Sequence, residues 1–277
     1  MEKLQKALDN ARQDRKRALD SGDYAKARGD TSAEPGMVSS KYPPIWDKLK
    51  PMELDENYFL NSRVMTLNAR PEAGPLDMLR TKIWLLMREN GWTRLAITSP
   101  NKDCGKTTIA CNLAVGFSRQ QEIRSVFMDL DLRQPSVANI LGQYPDHEVK
   151  DMLSGSVKAE DQMLKLLENE ADSMSRRPVK DPAQVLLSKQ TADCFDGIQK
   201  EFEPDLIIFD VPPMLVTDDA RAVLKNVDCA LIVARAEYTR VSQIDVCERE
   251  VSEYTNVLGV VLNSCRHVNM DLEDTSY

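Results

Sequence analysis

The chain has 277 residues, of which 42% are hydrophobic and 29% are charged, and its formal net charge is −8 at neutral pH. This composition is ordinary for a soluble globular protein, and the acidic balance argues against a general nucleic-acid binder. No apolar run approaches the roughly 18 residues that a membrane span needs, and the N-terminus lacks the apolar core of a secretory signal. The six cysteines and two histidines show no metal-ligand spacing. We therefore expect a cytoplasmic protein with reduced thiols and no zinc site.

The first 45 residues differ in composition from the rest of the chain. Apolar residues recur at helical spacing within residues 2–19, among charges of both signs, which predicts a charged amphipathic helix. Residues 20–45 are rich in Gly, Pro and Ser, as in a flexible linker. We therefore predict a helix and linker over 1–45 and a second domain over 46–277. The core of that domain is predicted at about 75–265, followed by a short C-terminal tail.

Strand-like and helix-like patterns alternate in the second domain. The predicted helices cover residues 76–88, 107–119 and 160–177, and the predicted strands cover residues 95–98, 125–128, 205–209, 230–233 and 256–262. Continuous apolar strands separated by helices suit a parallel sheet that is covered on both faces. The sequence thus predicts the α/β class: three layers, with a mostly parallel sheet between helices.

A phosphate-binding loop is predicted at residues 99–108, SPNKDCGKTT, between a predicted strand and a predicted helix. Phosphates need inward-facing backbone N–H groups, a helix N-terminus behind them and a lysine that reaches the outer phosphates. Gly105 allows close backbone approach, Lys106 is the phosphate lysine, and the hydroxyl of Thr107 would bind Mg²⁺. Pro100 stands at the first glycine of the GxxxxGK[ST] pattern. The segment predicts a P-loop NTPase-like fold that uses ATP and Mg²⁺.

Aspartates follow two further strands. Asp129 and Asp131 follow the second strand in DLDLR, and Asp210 ends the third strand in DLIIFD. Ligands of open α/β sheets bind outside the carboxyl ends of the strands, so these carboxylates should lie near the phosphate loop. They could support Mg²⁺ and accept a proton from a nucleophile. The plainer alternative for DLDLR is an exposed turn with ordinary surface charges.

The order of motifs resembles a known family, the bacterial tyrosine kinases of capsule and exopolysaccharide assembly, of the cytoplasmic CpsD/CapB type. ITSPNKDCGKTT resembles the Walker A motif of that family, VFMDLDLRQPSV its A′ motif and DLIIFDVPPMLVTDDA its Walker B motif. KDMLSG, DPAQVLLSK, ALIVARAEYTR and GVVLN resemble further family segments in the same order. The resemblance covers residues 75–277, and the family is related to the MinD/ParA ATPases.

The resemblance implies a set of functional residues. The implied catalytic residues are Lys106, Asp129, Asp131 and Asp210. The implied metal ligands are Thr107, Asp129 and Asp210. The implied ATP contacts are Lys102, Asp103, Cys104, Gly105, Lys106, Thr107, Thr108 and, at the adenine, Asn263. The implied phosphoacceptor is Tyr277.

The chain departs from the family pattern at three places. Asp103 replaces a glycine of the loop, and a carboxylate beside bound phosphates is unfavourable. The oligomer-forming ExxRxxR pattern appears as Gly74, Asp77 and Arg80, so only its last arginine is present. The tail carries the single Tyr277 where the family has a tyrosine cluster.

Three functions are compatible with these patterns. The first is an ATP-dependent protein-tyrosine (auto)kinase that regulates capsular or exopolysaccharide polymerisation and export. The second is a MinD/ParA-like ATPase switch, although Asn101 stands where that group has its signature lysine. The third is an ATP-binding, non-catalytic component of the polysaccharide machinery.

Partners follow from the resemblance. It implies a membrane adaptor, a polysaccharide co-polymerase whose cytosolic tail activates the kinase and recruits it to the inner face of the membrane. It also implies a homo-oligomer. The acidic net charge predicts no nucleic-acid partner.

Overall fold

The computed structural model describes residues 42–266. The predicted N-terminal helix, nearly all of the predicted linker and the tail with Tyr277 lie outside the described residues. The α-helices within this range are α1 (Glu56–Asn61), α2 (Gly74–Asn90), α3 (Lys106–Ser118), α4 (Val137–Leu141), α5 (Val149–Leu153), α6 (Ala159–Gln162), α7 (Pro182–Leu186), α8 (Lys189–Glu201), α9 (Asp219–Leu224) and α10 (Val241–Ser252). The strands are β1 (Lys50–Pro51), β2 (Arg94–Thr98), β3 (Ser125–Asp129), β4 (Leu164–Leu166), β5 (Glu170–Ser173), β6 (Leu206–Asp210), β7 (Cys229–Arg235) and β8 (Asn256–Asn263). Two short 3₁₀ helices, Pro44–Lys48 and Pro71–Ala73, precede α1 and α2.

The strands described within residues 42–266 form one sheet in the order β1-β4-β5-β3-β6-β2-β7-β8. Neighbouring strands are parallel except for β4 and β5, which run antiparallel. The central strands β3, β6 and β2 therefore end at the same edge of the sheet. The predicted α/β fold with a mostly parallel sheet is confirmed.

The apolar runs form strands because both faces of the sheet are buried. Val126 and Met128 of β3 lie in one hydrophobic core, and Phe127 lies in the other core with Ile208 of β6. Side chains of a strand alternate between faces, so a continuous apolar run supplies both cores at once. Helices cover each face, as the sequence predicts.

The helix that follows the phosphate loop, α3, is buried along most of its length between the sheet and α2. Arg80 of α2 fixes this packing, because its Nη1 donates to the carbonyl oxygen of Gly116 at 2.9 Å and to Asp77 at 2.6 Å. Trp84 of α2 also packs edge-on against Phe117. Arg80 is thus buried inside the domain and joins two of its helices. No helix within the described range is long and apolar enough to cross a membrane.

The helix predicted over residues 160–177 is wrong. Only α6 is helical there, and β4 and β5 follow it as an antiparallel pair that turns at Leu167, whose φ is 52°. The Leu, Met and Glu residues of this stretch favour a helix locally, but such preferences are weak. Pairing of β5 with both β3 and β4 satisfies its backbone groups and buries Ala171 in the core. This tertiary pairing overrides the local preference.

Candidate active site

The loop between β2 and α3 turns at two residues with left-handed backbone. Gly105 has a φ of 88° and Asp103 a φ of 59°. The left-handed backbone favours glycine at position 105, and a Cβ there would also displace the side-chain amide of Asn263. Aspartate tolerates the left-handed region better than most residues, which explains how Asp103 can replace a glycine. The loop therefore delivers the chain to the N-terminus of α3, whose first N–H groups have no partner within the helix.

Lys106 lies between two carboxylates at the start of α3. Its Nζ is 2.9 Å from Oδ2 of Asp131 and 3.5 Å from Oδ1 of Asp210. The hydroxyl of Thr107 donates to Oδ2 of Asp210 at 2.7 Å. All four residues are buried, and Asp210 is fully inaccessible to solvent. The structure thus brings together the phosphate loop and the two aspartate-ended strands.

Strand register produces this convergence. In the parallel pair of β3 and β6, Asp129 lies opposite Asp210. In the parallel pair of β2 and β6, Ile97 lies opposite Asp210, one residue before β2 ends and the loop begins. Three consecutive strands of the sheet therefore place their polar ends side by side.

The charges of the cluster depend on one another. Burial lowers the pKa of Lys106, but Asp210 and Asp131 raise it more, so its pKa lies above the usual lysine value. Burial raises the pKa of Asp210, and Lys106 and the Thr107 hydroxyl partly offset this. Burial, followed by repulsion from Asp210, raises the pKa of Asp129 well above its usual value. Lys106 is therefore the cation that stabilises the ionised form of the buried carboxyl group of Asp210.

Asp129 faces backbone groups rather than the lysine. Its Oδ1 accepts from the N–H of Asp131, and its Oδ2 accepts from the N–H groups of Ser136 and Val137. These bonds close the loop between β3 and α4. Asp131 and Asp210 are the two carboxylates that contact Lys106, and Asp129 shapes the loop that carries Asp131.

A cleft of about 320 Å³ opens beside the cluster. Of the residues that the sequence assigns to ATP, its lining includes Lys102, Asp103, Gly105, Lys106, Thr107 and Thr108. The side chain of Cys104 is buried instead, with its Sγ 3.5 Å from the hydroxyl of Thr239. Cys104 therefore faces the interior of the protein.

Residues at the ends of β7 and β8 hold the outer side of the phosphate loop. The side-chain amide of Asn263 donates to the carbonyl oxygen of Cys104 at 2.9 Å. Nη1 of Arg235 donates to the carbonyl oxygen of Asp103 at 3.2 Å. Asn263, assigned by resemblance to the adenine, thus contacts the backbone of the loop. Arg235 received no role from the sequence, because only the sheet order places β7 beside β2.

Arg133 and Asp219 also received no role from the sequence. They form a two-bond ion pair near the site, with Nε to Oδ2 at 2.8 Å and Nη2 to Oδ1 at 3.1 Å. Both lie within segments that resemble family motifs, DLDLR and TDDA, but because they are 86 positions apart no local pattern shows that they meet.

The donor set of the site fits Mg²⁺ and a nucleotide phosphate. Thr107, Asp131 and Asp210 offer hydroxyl and carboxylate oxygens, the hard ligands that Mg²⁺ prefers. Lys106 and the N-terminus of α3 offer positive charge and N–H donors for phosphate. A nucleotide would occupy the cleft beside them.

These features define a P-loop NTPase: a strand leads through a glycine turn into a helix that begins with Lys-Thr, and two parallel strands that end in aspartate lie beside it. No family model matches the chain. Over 188 residues, or 67% of its length, the chain is 30% identical to a putative tyrosine-protein kinase in the cps region of Klebsiella pneumoniae, and the match covers 26% of that protein. The chain therefore spans about a quarter of the length of the curated relatives it matches. These relatives are bacterial tyrosine kinases.

Two solved structures show how widely the fold is shared. The kinase domain of the Escherichia coli tyrosine kinase ETK superposes with a TM-score of 0.61 at 21% identity, covering 79% of the chain and 91% of that domain. The cell-division ATPase MinD of Pyrococcus furiosus superposes with a TM-score of 0.53 at 21% identity, covering 61% of the chain and 71% of MinD. The fold is thus common to kinase domains of bacterial tyrosine kinases and to MinD-type ATPases.

Proposed function

We propose that the domain binds Mg²⁺·ATP and transfers the γ-phosphoryl group to tyrosine, and thereby regulates capsular or exopolysaccharide polymerisation and export. The observation that carries the proposal is the contact of Lys106 with Asp131 and Asp210 at the start of α3. Phosphoryl transfer depends mainly on positioning and charge neutralisation, and this cluster offers both. The sequence similarity to bacterial tyrosine kinases supports tyrosine as the acceptor.

Each side chain has a defined task in this mechanism. Lys106 neutralises charge on the outer phosphates, and the N-terminus of α3 donates N–H groups to them. Thr107 and Asp210 would hold Mg²⁺, which supplies further charge neutralisation when bound. Asp131 lines the cleft and accepts the proton of the tyrosine hydroxyl. Asp129 keeps the loop of Asp131 closed through its backbone bonds.

The partners belong to the same proposal. We infer a membrane adaptor whose cytosolic tail completes the site and recruits the cytoplasmic domain to the inner face of the membrane, with homo-oligomers formed there. The polysaccharide-locus relative from Klebsiella pneumoniae supports this setting. Tyr277 is the proposed phosphoacceptor, and acidic residues precede it in the sequence.

A MinD-like ATPase switch is the second candidate, because the fold is shared with MinD. Such a protein hydrolyses ATP without forming phosphotyrosine. A non-catalytic component would bind ATP without turning it over. The three functions therefore differ in the fate of the γ-phosphate.

The deciding experiment incubates the purified chain with Mg²⁺·ATP, with and without an adaptor-tail peptide, and locates phosphate by mass spectrometry. We expect phosphotyrosine in the wild type and none in Lys106→Met. Hydrolysis without phosphotyrosine in either condition would establish the ATPase switch instead, and binding without turnover would establish the non-catalytic role.

A further inference from the structure

The ion pair between Arg133 and Asp219 joins a partly exposed guanidinium to a fully buried carboxylate. Asp219 has no solvent exposure, and both of its carboxylate oxygens accept from the guanidinium, at 2.8 and 3.1 Å. The Arg133 side chain is 41% exposed at its outer side. A buried carboxylate costs free energy unless it is paired, so Asp219 depends on this partner. The pair is therefore more than an ordinary surface salt bridge.

The two partners sit on different segments of the site. Arg133 lies in the loop between β3 and α4, two residues after Asp131. Asp219 begins α9, after the segment that leaves β6 at Asp210. That segment is bonded to the phosphate loop, because the N–H groups of Met214 and Leu215 donate to the carbonyl oxygens of Ser99 and Pro100. The pair thus joins the loop of Asp131 to a segment fixed on the phosphate loop.

The loop of Asp131 is held at its base, in its middle and at its tip. At its base, Asp129 accepts the N–H of Ser136. In the middle, Leu132 is buried in the core and its carbonyl oxygen accepts the N–H of Val179 at 2.8 Å. At its tip, Arg133 grips Asp219, and the next residue, Gln134, donates its N–H to the backbone oxygen of Asp131 at 3.0 Å. Asp131 lies between these contacts, 2.9 Å from Nζ of Lys106. The N–H of Gln134 also lies 3.2 Å from Oδ1 of Asp131, so a displaced tip would loosen a hydrogen bond to the Asp131 carboxylate itself while the base of the loop stays closed.

We propose that Arg133 is a positioning residue for phosphoryl transfer: through its two-bond grip on Asp219 it holds Asp131 against Lys106. This inference rests on the proposed function of the site. A lysine at position 133 keeps the charge but lacks the planar fork that binds both carboxylate oxygens. The shape of the guanidinium, and not its charge alone, sets the position of Asp131.

The test compares Arg133→Lys with Arg124→Lys as a matched control. Arg124 also pairs with a carboxylate, Asp205, but it lies at the opposite end of β3. We expect Arg133→Lys to lower kcat about ten-fold, with KM for ATP changed less than about two-fold. Arg124→Lys should leave both unchanged. Asp219→Asn, which nearly preserves side-chain volume, should lower kcat in the same way and provides a second variant.

A double-mutant cycle separates positioning from an independent effect. Because Arg133 acts through Asp131, adding Arg133→Lys to Asp131→Asn should cause no further loss of kcat. Additive losses, or an unchanged kcat accompanied by a lowered melting temperature, would overturn the proposal and leave Arg133 as a structural brace.

A readout without turnover keeps this proposal distinct from the proposed function. An amine-reactive reagent modifies Lys106 in the absence of nucleotide, and mass spectrometry follows the rate. This rate reports the contact of Lys106 with Asp131. We expect Arg133→Lys and Asp131→Asn to increase this rate several-fold and Arg124→Lys to leave it at the wild-type value. An unchanged rate in Arg133→Lys overturns the positioning role, whether or not the wild type proves to be a kinase.

Discussion

Two groups of carboxylates are buried on the same face of the sheet, beneath α3, and the protein treats them differently. Asp131 and Asp210 contact Lys106 at the end of the central strands. Glu170 and Asp172 of β5 are also fully buried, and among the described residues no cation, backbone N–H or other side chain donates to their carboxylate oxygens, so each has only the other as a partner. One group has a cation and the other has none.

The surroundings of the second group are apolar. Glu170 lies opposite Ser125 and Asp172 opposite Phe127 on β3, and residues of β4 opposite them are leucines. On α3, burial raises the pKa of the Cys111 thiol well above its usual value, and repulsion from Asp210 and Asp172 adds to this. Burial raises the pKa of Glu170 well above its usual value, with a further contribution from Asp172, and raises the pKa of Asp172 to about 8.

The comparison shows how each group offsets the free-energy cost of burying a carboxyl group. A buried carboxyl group must be paired or neutral. Asp131 and Asp210 have Lys106 beside them as a counter-charge, whereas burial favours the protonated forms of Glu170 and Asp172. The predictions below alter first the lysine, then a carboxyl group, and finally their neighbours.

The largest effect is expected from Lys106→Met, which removes the cation beside Asp131 and Asp210 and leaves them, like Glu170 and Asp172, without one. Phosphoryl transfer should fall at least a hundred- to a thousand-fold. The variant should also be destabilised by about 3 kcal/mol at neutral pH, because Asp131 and Asp210 lose their cation. The loss should shrink at pH 5, where Asp210, whose pKa is already raised, takes up a proton more easily. Urea unfolding at both pH values checks this, with exposed Lys82→Met as the control. An equal loss at both pH values would contradict the electrostatic explanation.

The next largest effect concerns Asp172→Asn. The folded-state pKa of Asp172 is about 8, above the unfolded value, so its stabilising contribution is complete below about pH 4 and is lost as the pH rises through 8. Wild type should therefore lose about 3 kcal/mol of unfolding free energy between pH 5.5 and 8.5 through this group, and Asp172→Asn should flatten that slope. Urea unfolding across this range provides the measurement. Exposed Asp193→Asn should keep the wild-type slope, and a wild-type slope in Asp172→Asn would show that the group is not protonated in the folded state.

A smaller effect is expected from Asp103→Gly, since Asp103 adds an exposed carboxylate to the comparison. Removing its charge from the phosphate loop should tighten ATP binding about five-fold, as an exposed charge at this range is worth roughly 1 kcal/mol. Asp103→Asn, which keeps a residue suited to left-handed backbone, separates charge from flexibility. Calorimetric affinities that match the wild type in both variants would mean that Lys102 or the backbone already offsets the charge.

The smallest effect is expected from Ser125→Ala. The Ser125 hydroxyl is buried without a partner beside Glu170. Its removal should leave stability unchanged or increase it by about 0.5 to 1 kcal/mol, because an unsatisfied buried hydroxyl is costly. A loss of more than about 1 kcal/mol in urea unfolding would instead show that Ser125 donates to the carboxyl pair in solution.

The sequence predicts what depends on local pattern. The phosphate loop, α2, α3 and the five apolar strands lie where periodicity and loop chemistry indicate, and strand order then brings Lys106, Asp131 and Asp210 together. The stretch over 160–177 could not be predicted in this way, because the pairing of β5 with β3 decides it.

The remaining contacts of the site join distant positions. The bonds of Asn263 to Cys104 and of Arg133 to Asp219 cross 159 and 86 positions of the chain. The hydrophobic periodicity of a single segment cannot indicate a contact with a distant segment. Only the order of strands in the sheet makes these pairs neighbours.

The contact of Asn263 with the phosphate loop has an evolutionary consequence. The amide of Asn263 occupies the space that any side chain at Gly105 would need, and the left-handed φ of 88° independently favours glycine there. Related sequences should therefore keep the glycine even where the asparagine is replaced, and should carry a larger residue at the glycine position only where a smaller residue replaces the asparagine.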